Sequence, residues 1–398
     1  MSNHKYTDVQ IQFICKLREN HNTWKFIAEE FNEVFKPEIE VTPKKLRTIY
    51  GYYKISADIG HEEVDLKLLK HNRAVRVTNY KLRKEANTAL DALNVREDII
   101  TELRKTLSSW KFPKTVVKST KTTKKGKKAV LELLLSDLHI GKKTETYNFD
   151  VARRRLVELR DVFLYELEQA ETKYQIDMIV IAMLGDIIES FEMHGLQSAV
   201  TAEAVTPVQV VKAVEIIFIE ILRPIAQQGH KIVIPAVCGN HDRVLKDKPM
   251  NQPGQESITW IIYNMLAILC ETTGLHNIEF IIPNRSWCII DILGHKVLYE
   301  HADKSMRLER KSVNDKIAAR QTQSGVIISF FRFGHFHEFV QFGRGKAICN
   351  GTPVTDDGFS LELGFDSDAG QAISLFVESS KRPNPFYWSY LVSLSQIR

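Results

Sequence analysis

From residue 130 onward the chain repeats one pattern, in which a short apolar run stops abruptly at Asp, His, Asn or Gly. Leu131, Leu133, Leu134 and Leu135 run into Ser136-Asp137-Leu138-His139 and then Gly141. Met178 to Leu184 ends in Gly185-Asp186, and Ile232 to Val237 leads into Gly239-Asn240-His241-Asp242. Lys296-Val297-Leu298-Tyr299-Glu300 precedes His301, and Val326 to Phe333 precedes Gly334-His335-Phe336-His337. Such runs predict buried strands that deliver polar side chains to a sheet edge. Helical spacing lies between them: Asp150 to Lys173, with Asp150 as cap and Leu156, Leu159, Val162, Phe163 and Leu167 inward; Val208 to Gln228, ended near Gly229; and Glu256 to Thr273, ended by Gly274. This alternation predicts α/β layers with ligand-bearing loops at the strand ends. Ala347 to Leu394 reads as strand-rich, with turns at Asp356-Asp357-Gly358 and Asp366-Ser367-Asp368.

The first residues follow a different period. Thr7 to Glu19 places Ile11, Ile14, Cys15 and Leu17 on one helix side. A second helix starts at Thr23-Trp24 and puts Trp24, Ile27, Ala28, Phe31, Val34 and Phe35 at three-to-four spacing. The third opens with Thr42-Pro43, a cap followed by proline at the first helical position. It carries Lys44, Lys45 and Arg47 and no acidic residue. This outline, with an early Trp in the second helix and a basic third helix, resembles a Myb/SANT-like helix-turn-helix domain. The resemblance implies DNA binding through Lys44, Lys45 and Arg47 on phosphates or bases. The other reading of the same residues is a small interaction module with a solvated basic face. Glu62 to Trp110 is helical in pattern, without proline, and offers a homo-oligomer contact through residues 57–110. Lys111 to Lys128 carries eight lysines and no acidic residue, the mark of a solvated tether that also attracts polyanions.

Composition narrows the class. The chain has 398 residues, 44% hydrophobic and 26% charged, enough for two or three domains, and its net charge of +5 is mild. Cys15, Cys238, Cys270, Cys288 and Cys349 are scattered and odd in number, which predicts reduced core thiols in a cytoplasmic protein instead of a disulfide framework. Met1-Ser2-Asn3-His4-Lys5 begins no apolar signal segment, and Ala213 to Ile225 is interrupted by Glu215, Glu220 and Arg223, so no membrane association is expected.

The chemistry lies in the strand ends. Asp137 and His139 are two apart and would point to one side of an extended backbone, where a carboxylate and an imidazole can grip a metal ion. An isolated D-x-H means little; D-x-H, G-D, G-N-H-D, a lone His and G-H-x-H in order over Val130 to Phe359 mean more. The set resembles the calcineurin-like metallophosphoesterase superfamily. The resemblance implies a four-layered α/β/β/α metallophosphoesterase sandwich and two divalent ions. One would take Asp137, His139, Asp186 and His337; the other would take Asp186, Asn240, His301 and His335. Mixed Asp, Asn and His donors without thiolate suit manganese, iron, zinc or magnesium, with manganese preferred. His241 would then assist the leaving group without binding metal, and Asp242 would orient the loop.

Departures from the family inform the substrate. Protein phosphatases of this superfamily read G-D-x-x-D-R-G, whereas this chain reads Gly185-Asp186-Ile187-Ile188-Glu189-Ser190 and lacks the phosphate-gripping Arg. Glu189 stands where it could orient His241. Repair exonucleases of the superfamily often have His there. Glu300-His301-Ala302-Asp303 replaces the common His-Gly, which leaves His295 as a competitor for the lone ligand. Arg243, Lys246 and Lys248 follow G-N-H-D as candidate phosphodiester contacts, while His194 and His230 read as loop residues. The division expected is residues 1–56 as an all-α helix-turn-helix-like domain, 57–128 as connector, and 129–398 as the phosphoesterase. The function expected is a nuclease or nucleic-acid phosphodiesterase that binds DNA, a combination that suits a phage. The alternatives are a small-nucleotide phosphodiesterase or phosphatase, and a DNA-binding scaffold with a structural metal.

Overall fold

The computed structural model describes residues 6–37, 40–58, 75–84, 86–87, 90, 97, 101, 105, 114–118, 126–191, 198–243, 253–303, 306–355, 368–379 and 384–397. Lys246, Lys248, His194 and the turn at Asp356-Asp357-Gly358 lie outside them, as does most of the predicted 62–110 helix, of which residues 75–84 are helical. The chain forms two compact units, Met1–Asn87 and Thr88–Arg398.

In the first unit, α1 (Asp8–Glu19), α2 (Trp24–Phe35) and α3 (Pro43–Asp58) enclose Ile14, Ile27, Ala28, Phe31, Val41 and Leu46. Thr7 caps α1 reciprocally with Gln10, and Thr23 caps α2. Trp24 is partly buried against this core, with Tyr50 beside it and the Arg18 guanidinium over its ring at 5.1 Å. Lys44, Lys45 and Arg47 are exposed near the start of α3.

The second unit holds two sheets. Its elements are β1 (Lys128–Leu135), α4 (Phe149–Lys173), β2 (Gln175–Met183), α5 (Thr206–Ile216), β3 (Ile232–Pro235), α6 (Ile258–Thr272), β4 (Ile278–Ile281), β5 (Trp287–Ile292), β6 (His295–Glu300), α7 (Arg310–Ser324), β7 (Phe330–Phe333), β8 (Val340–Phe342), β9 (Ala347–Cys349), β10 (Gly370–Val377) and β11 (Phe386–Ser393). The larger sheet has the order β11-β10-β1-β2-β3-β4 and the smaller β5-β6-β7-β9-β8. Strands β1 to β4 are mutually parallel, as are β6, β7 and β9, so their carboxyl ends point one way within each sheet.

Strand alternation divides the apolar residues into cores. Leu131, Leu133 and Leu135 of β1 join Leu156, Leu159 and Phe163 of α4 and Phe218 in one cluster. Their neighbours Val130 and Leu134 point the other way and meet Ile290, Val297, Phe330 and Ile348 of the smaller sheet. On the far side of that sheet, Leu298, Phe331 and Phe333 cover Val313 and Ile317 of α7. Runs apolar on both faces therefore reflect sheets covered on both faces.

Several details depart from the sequence reading. Asn148, not Asp150, caps α4, its Oδ1 accepting from Val151 N at 3.0 Å. The helix predicted over Val208 to Gln228 continues from α5 through a π-helical turn, Ile217–Leu222, into Arg223–Ala226. Pro224 explains the wider turn, because it has no N–H to donate and its ring crowds the carbonyl of Glu220. β7 takes only the last half of the Val326–Phe333 run; Gly325 ends α7 in a left-handed conformation and Ile327 lies in the exposed connection. Part of the lysine-rich tether is docked: Thr115 N donates to Thr273 O, Lys118 N donates to Gln227 O, and Val117 packs on the main core.

Candidate metal centre

The polar residues that end the parallel strands converge. Asp137 and His139 follow β1, Asp186 follows β2, Asn240 and His241 follow β3, His301 follows β6, and His335 and His337 follow β7. Three sets offer donor atoms within 4.8 Å of one another: Asp137, His139 and His337; His139, Asp186 and His241; and Asp186, His301 and His335. Asn240 joins the last set, its Oδ1 3.1 Å from His301 Nε2. Asp186 belongs to two sets, the position a shared carboxylate would need. His301 is the lone-His residue at the centre, its Nε2 3.0 Å from Asp186 Oδ2, whereas His295 opens β6 against the Phe330 ring. His230 pairs with Glu171 at 2.5 Å and belongs to none of these sets.

The prediction that Asp137 and His139 share a face through strand alternation does not hold. β1 ends at Leu135, and both residues have left-handed φ, 51° and 43°. The same conformation recurs at Asp186, Ser190, Ala302, His335 and His337, so seven of the eleven described non-glycine residues with positive φ lie at this centre. Each such residue costs roughly 1–2 kcal/mol, and surrounding bonds must hold it there. His139 N donates to Asp186 O at 3.0 Å and Asp137 N to Gly185 O at 3.1 Å, which ties the first two strand ends together. Thr352 Oγ1 donates to Asp137 O at 2.7 Å, and Tyr147 OH donates to Leu138 O. Beneath them Ser136, Asn350 and Gln371 form a buried amide network, with Asn350 Nδ2 3.0 Å from Ser136 Oγ.

Two glycines of the motifs make room for carboxylates. A Cβ on Gly239 would stand 2.1 Å from Asp186 Oδ1, and one on Gly334 would stand 2.5 Å from Asp137 Oδ2. Both are distances at which the carboxylate would have to leave its place.

The contacts of the imidazoles are compatible with a cation. Nδ1 of His241 lies 2.8 Å from Glu189 O, Nδ1 of His301 lies 2.9 Å from Leu184 O, and Nδ1 of His139 lies 2.8 Å from Glu189 Oε2. Each Nδ1 thus faces an oxygen, which leaves Nε2 as the ring nitrogen turned away from it. Nε2 of His139 and Nε2 of His337 stand only 3.2 Å apart. One proton or one cation between them would satisfy both nitrogens, and the mixed Asp, Asn and His donors fit hard or borderline dications.

The charges follow from the same contacts. Burial opposes ionisation of Asp137 and Asp186, but His337 and His301 for the first, and His301 and His241 for the second, hold both below the ordinary carboxylate range. Burial likewise opposes the charge on Glu189, yet His139 brings it down to about 2. His301 overcomes burial through Asp186 and rises to about 10, whereas burial, reinforced by His301, lowers His335 to about 4. Burial and the Asp186 charge push Asp242 up to about 7. Asp242 Oδ2 accepts from Gly239 N at 2.5 Å and Asp186 N at 3.1 Å and so holds the two loops in register.

Asp137, His139, Asp186, His301 and His337 are buried, while Asn240, His241 and His335 are partly exposed and mark the opening. His241 stands beside the centre, as its motif position implied, with a donor atom within 4.8 Å of those of His139 and Asp186, close enough to share an ion with them. Arg243, next but one in the chain, pairs with Asp303 at 2.6 Å. The sequence reading also missed Asn350 and Thr352. They follow the apolar Ala347-Ile348-Cys349, so the strand-end pattern that found the other positions would have found these too. Glu189 gives its carbonyl, not its carboxylate, to His241 at the shortest distance, a division of roles no motif encodes.

No family model matches the chain, and no curated protein matches it significantly. Solved structures similar to it include an archaeal phosphodiesterase, 11% identical, with 66% of this chain and 99% of that one covered and a TM-score of 0.31. The vacuolar protein sorting 29 protein of Cryptosporidium parvum is 13% identical over 67% of this chain and 98% of that one, with a TM-score of 0.31. The zinc-complexed protein of the same name from Entamoeba histolytica is 12% identical over 66% and 99%, with a TM-score of 0.26. Overlaps this slight add nothing to what the side chains show.

Proposed function

We propose that this chain is a dinuclear metal-dependent phosphoesterase that hydrolyses nucleic-acid phosphodiester bonds, built on a four-layered α/β/β/α unit and carrying N-terminal helices that bind DNA. One observation supports it above the rest: two aspartates, five histidines and an asparagine from five strand ends bring their donor atoms together, with Asp186 in two of the groups. In this reading Asp137, His139, Asp186 and His337 hold one ion, and Asp186, Asn240, His301 and His335 hold the other. Divalent ions, manganese first, would supply Lewis acidity to a phosphoryl oxygen and lower the pKa of water. His241 keeps its Nδ1 hydrogen on Glu189 O and faces the opening, where its Nε2 delivers a proton to the departing oxygen. Arg243, while paired with Asp303, offers its remaining N–H groups to the phosphate. Lys44, Lys45 and Arg47, exposed in the first turns of α3, contact the DNA backbone.

The test is incubation of manganese-loaded protein with labelled single- and double-stranded DNA, RNA and bis(p-nitrophenyl) phosphate. Metal-dependent cleavage of a polymer is expected. Turnover of the chromogenic ester with every polymer left intact would transfer the assignment to small nucleotides, and no turnover at all would sink it. Neutralising Lys44, Lys45 and Arg47 together should flatten the salt dependence of DNA binding by roughly one unit of slope per lost phosphate contact.

A further inference from the structure

Asp303 follows His301 by two residues and is partly exposed. Ala302, with a left-handed φ of 74°, turns the chain just after His301, and Asp303 Oδ2 then accepts from Arg243 Nη2 at 2.6 Å. Arg243 is set in place by following directly on Gly239-Asn240-His241-Asp242 and by a backbone bridge to Ser257. The two side chains are 19% and 14% exposed, so this pair is shielded from solvent more than an ordinary surface ion pair. The pair thus joins the stretch after His301 to the loop that carries Asn240 and His241, on the partly exposed side of the centre. An arginine there would attract any phosphate. The acid clamped upon it changes which phosphate is favoured.

We infer that Asp303 is a specificity-determining residue that, by neutralising Arg243 at the opening, favours singly charged phosphodiesters over doubly charged phosphomonoesters. The inference rests on the phosphoesterase reading above. A phosphomonoester carries close to two negative charges at neutral pH, because its second pKa is about 6, while a diester carries one. With Arg243 already paired, the second charge finds no counterion and meets the Asp303 carboxylate. Without that carboxylate the guanidinium fork is available to two oxygens of a dianion at once. In a partly shielded site, one unit charge near contact range shifts such a preference on the order of tenfold.

The experiment compares manganese-loaded wild type, Asp303→Asn and Asp303→Glu. It reads kcat/KM for p-nitrophenyl phosphate and bis(p-nitrophenyl) phosphate, the dissociation constant of inorganic phosphate by calorimetry, and bound metal by elemental analysis. Wild type should prefer the diester. Asp303→Asn should move the monoester-to-diester ratio toward the monoester by about tenfold and tighten phosphate binding by a similar factor, with metal content unchanged. Asp303→Glu, which keeps the charge, should stay near the wild-type ratio. An Asp303→Asn ratio equal to that of wild type would overturn the inference, and so would loss of metal from that variant, which would make Asp303 part of the metal cradle. Wild-type protein that hydrolyses neither ester would overturn the phosphoesterase reading, and this inference with it, a result distinct from an unchanged ratio.

Discussion

Glu132 and Asp137 leave the same strand and its exit loop, both fully buried, but their surroundings differ in kind. Glu132 lies on the face of β1 that meets the smaller sheet, with Val130 and Leu134 on either side of it. It accepts from Tyr299 OH at 2.7 Å and from Arg332 Nε at 2.8 Å. Arg332 donates further to the carbonyls of Phe331 and Gly345 and lies over the rings of Phe330, Phe376 and Phe386. Negative charge, positive charge and hydroxyl donor close upon one another there. Around Asp137 and Asp186 the partners are imidazoles and the backbone N–H groups of His335 and His241, and two of the imidazoles present Nε2 to Nε2 at 3.2 Å. The first cluster pairs one charge of each sign, although Arg332 Nη2 is buried without a hydrogen-bond partner; the second groups donors that could hold an ion. Burial and charge alone do not distinguish a structural pair from a candidate metal centre; the convergence of several Asp, Asn and His donor atoms does.

The comparison breaks most sharply at Asp186, which two of the donor sets share. Asp186→Ala should abolish metal binding and turnover together. Elemental analysis of the folded variant showing both ions retained would refute the shared-carboxylate assignment. His241→Ala comes next: turnover should fall about 10²–10⁴-fold with the metal retained, and the defect should shrink for esters with good leaving groups, which need little protonation. Loss of metal from this variant would instead make His241 a ligand, as its distance to His139 and Asp186 permits.

At the closed cluster the effect should appear in stability. Arg332→Ala strands the Glu132 charge in the core and should cost about 3–5 kcal/mol in denaturant titration, a loss added metal does not specifically reverse. Replacing Glu132 and Arg332 together by methionine should recover most of it. A double variant as unstable as the single would show that packing, not the stranded charge, sets the cost. The smallest effect is expected at Glu189, which bridges structure and chemistry. Glu189→Gln keeps an acceptor for His139 Nδ1 but removes the charge, so metal affinity should weaken about 10–100-fold with the fold intact. Unchanged affinity by competition with a chelator would leave Glu189 a packing residue.

Much of this was legible along the chain because each of its marks is local. An apolar run that stops at Gly-Asp or Gly-Asn-His-Asp records both a buried strand and the polar end it must present, so the strand ends and the residues gathered there followed from sequence. Thr7, Thr23 and Thr42 marked helix starts for the same reason, since a cap acts within three residues. The sequence was silent where the cause is distant in the chain. Glu132 looks like an interruption of a leucine run until Arg332 and Tyr299 arrive from the other sheet. His295 and His301 differ only in which end of β6 faces Asp186. The left-handed turns at Asp137 and His139 are imposed by bonds to Gly185, Asp186 and Thr352, and no local propensity demands them. Glu189 could not be assigned to His139 or His241 before both rings were in place. Sequence determined which side chains stand at the strand ends, because that is set by burial and period. Tertiary structure alone decided which of them face one another, because contact across sheets depends on how two surfaces meet.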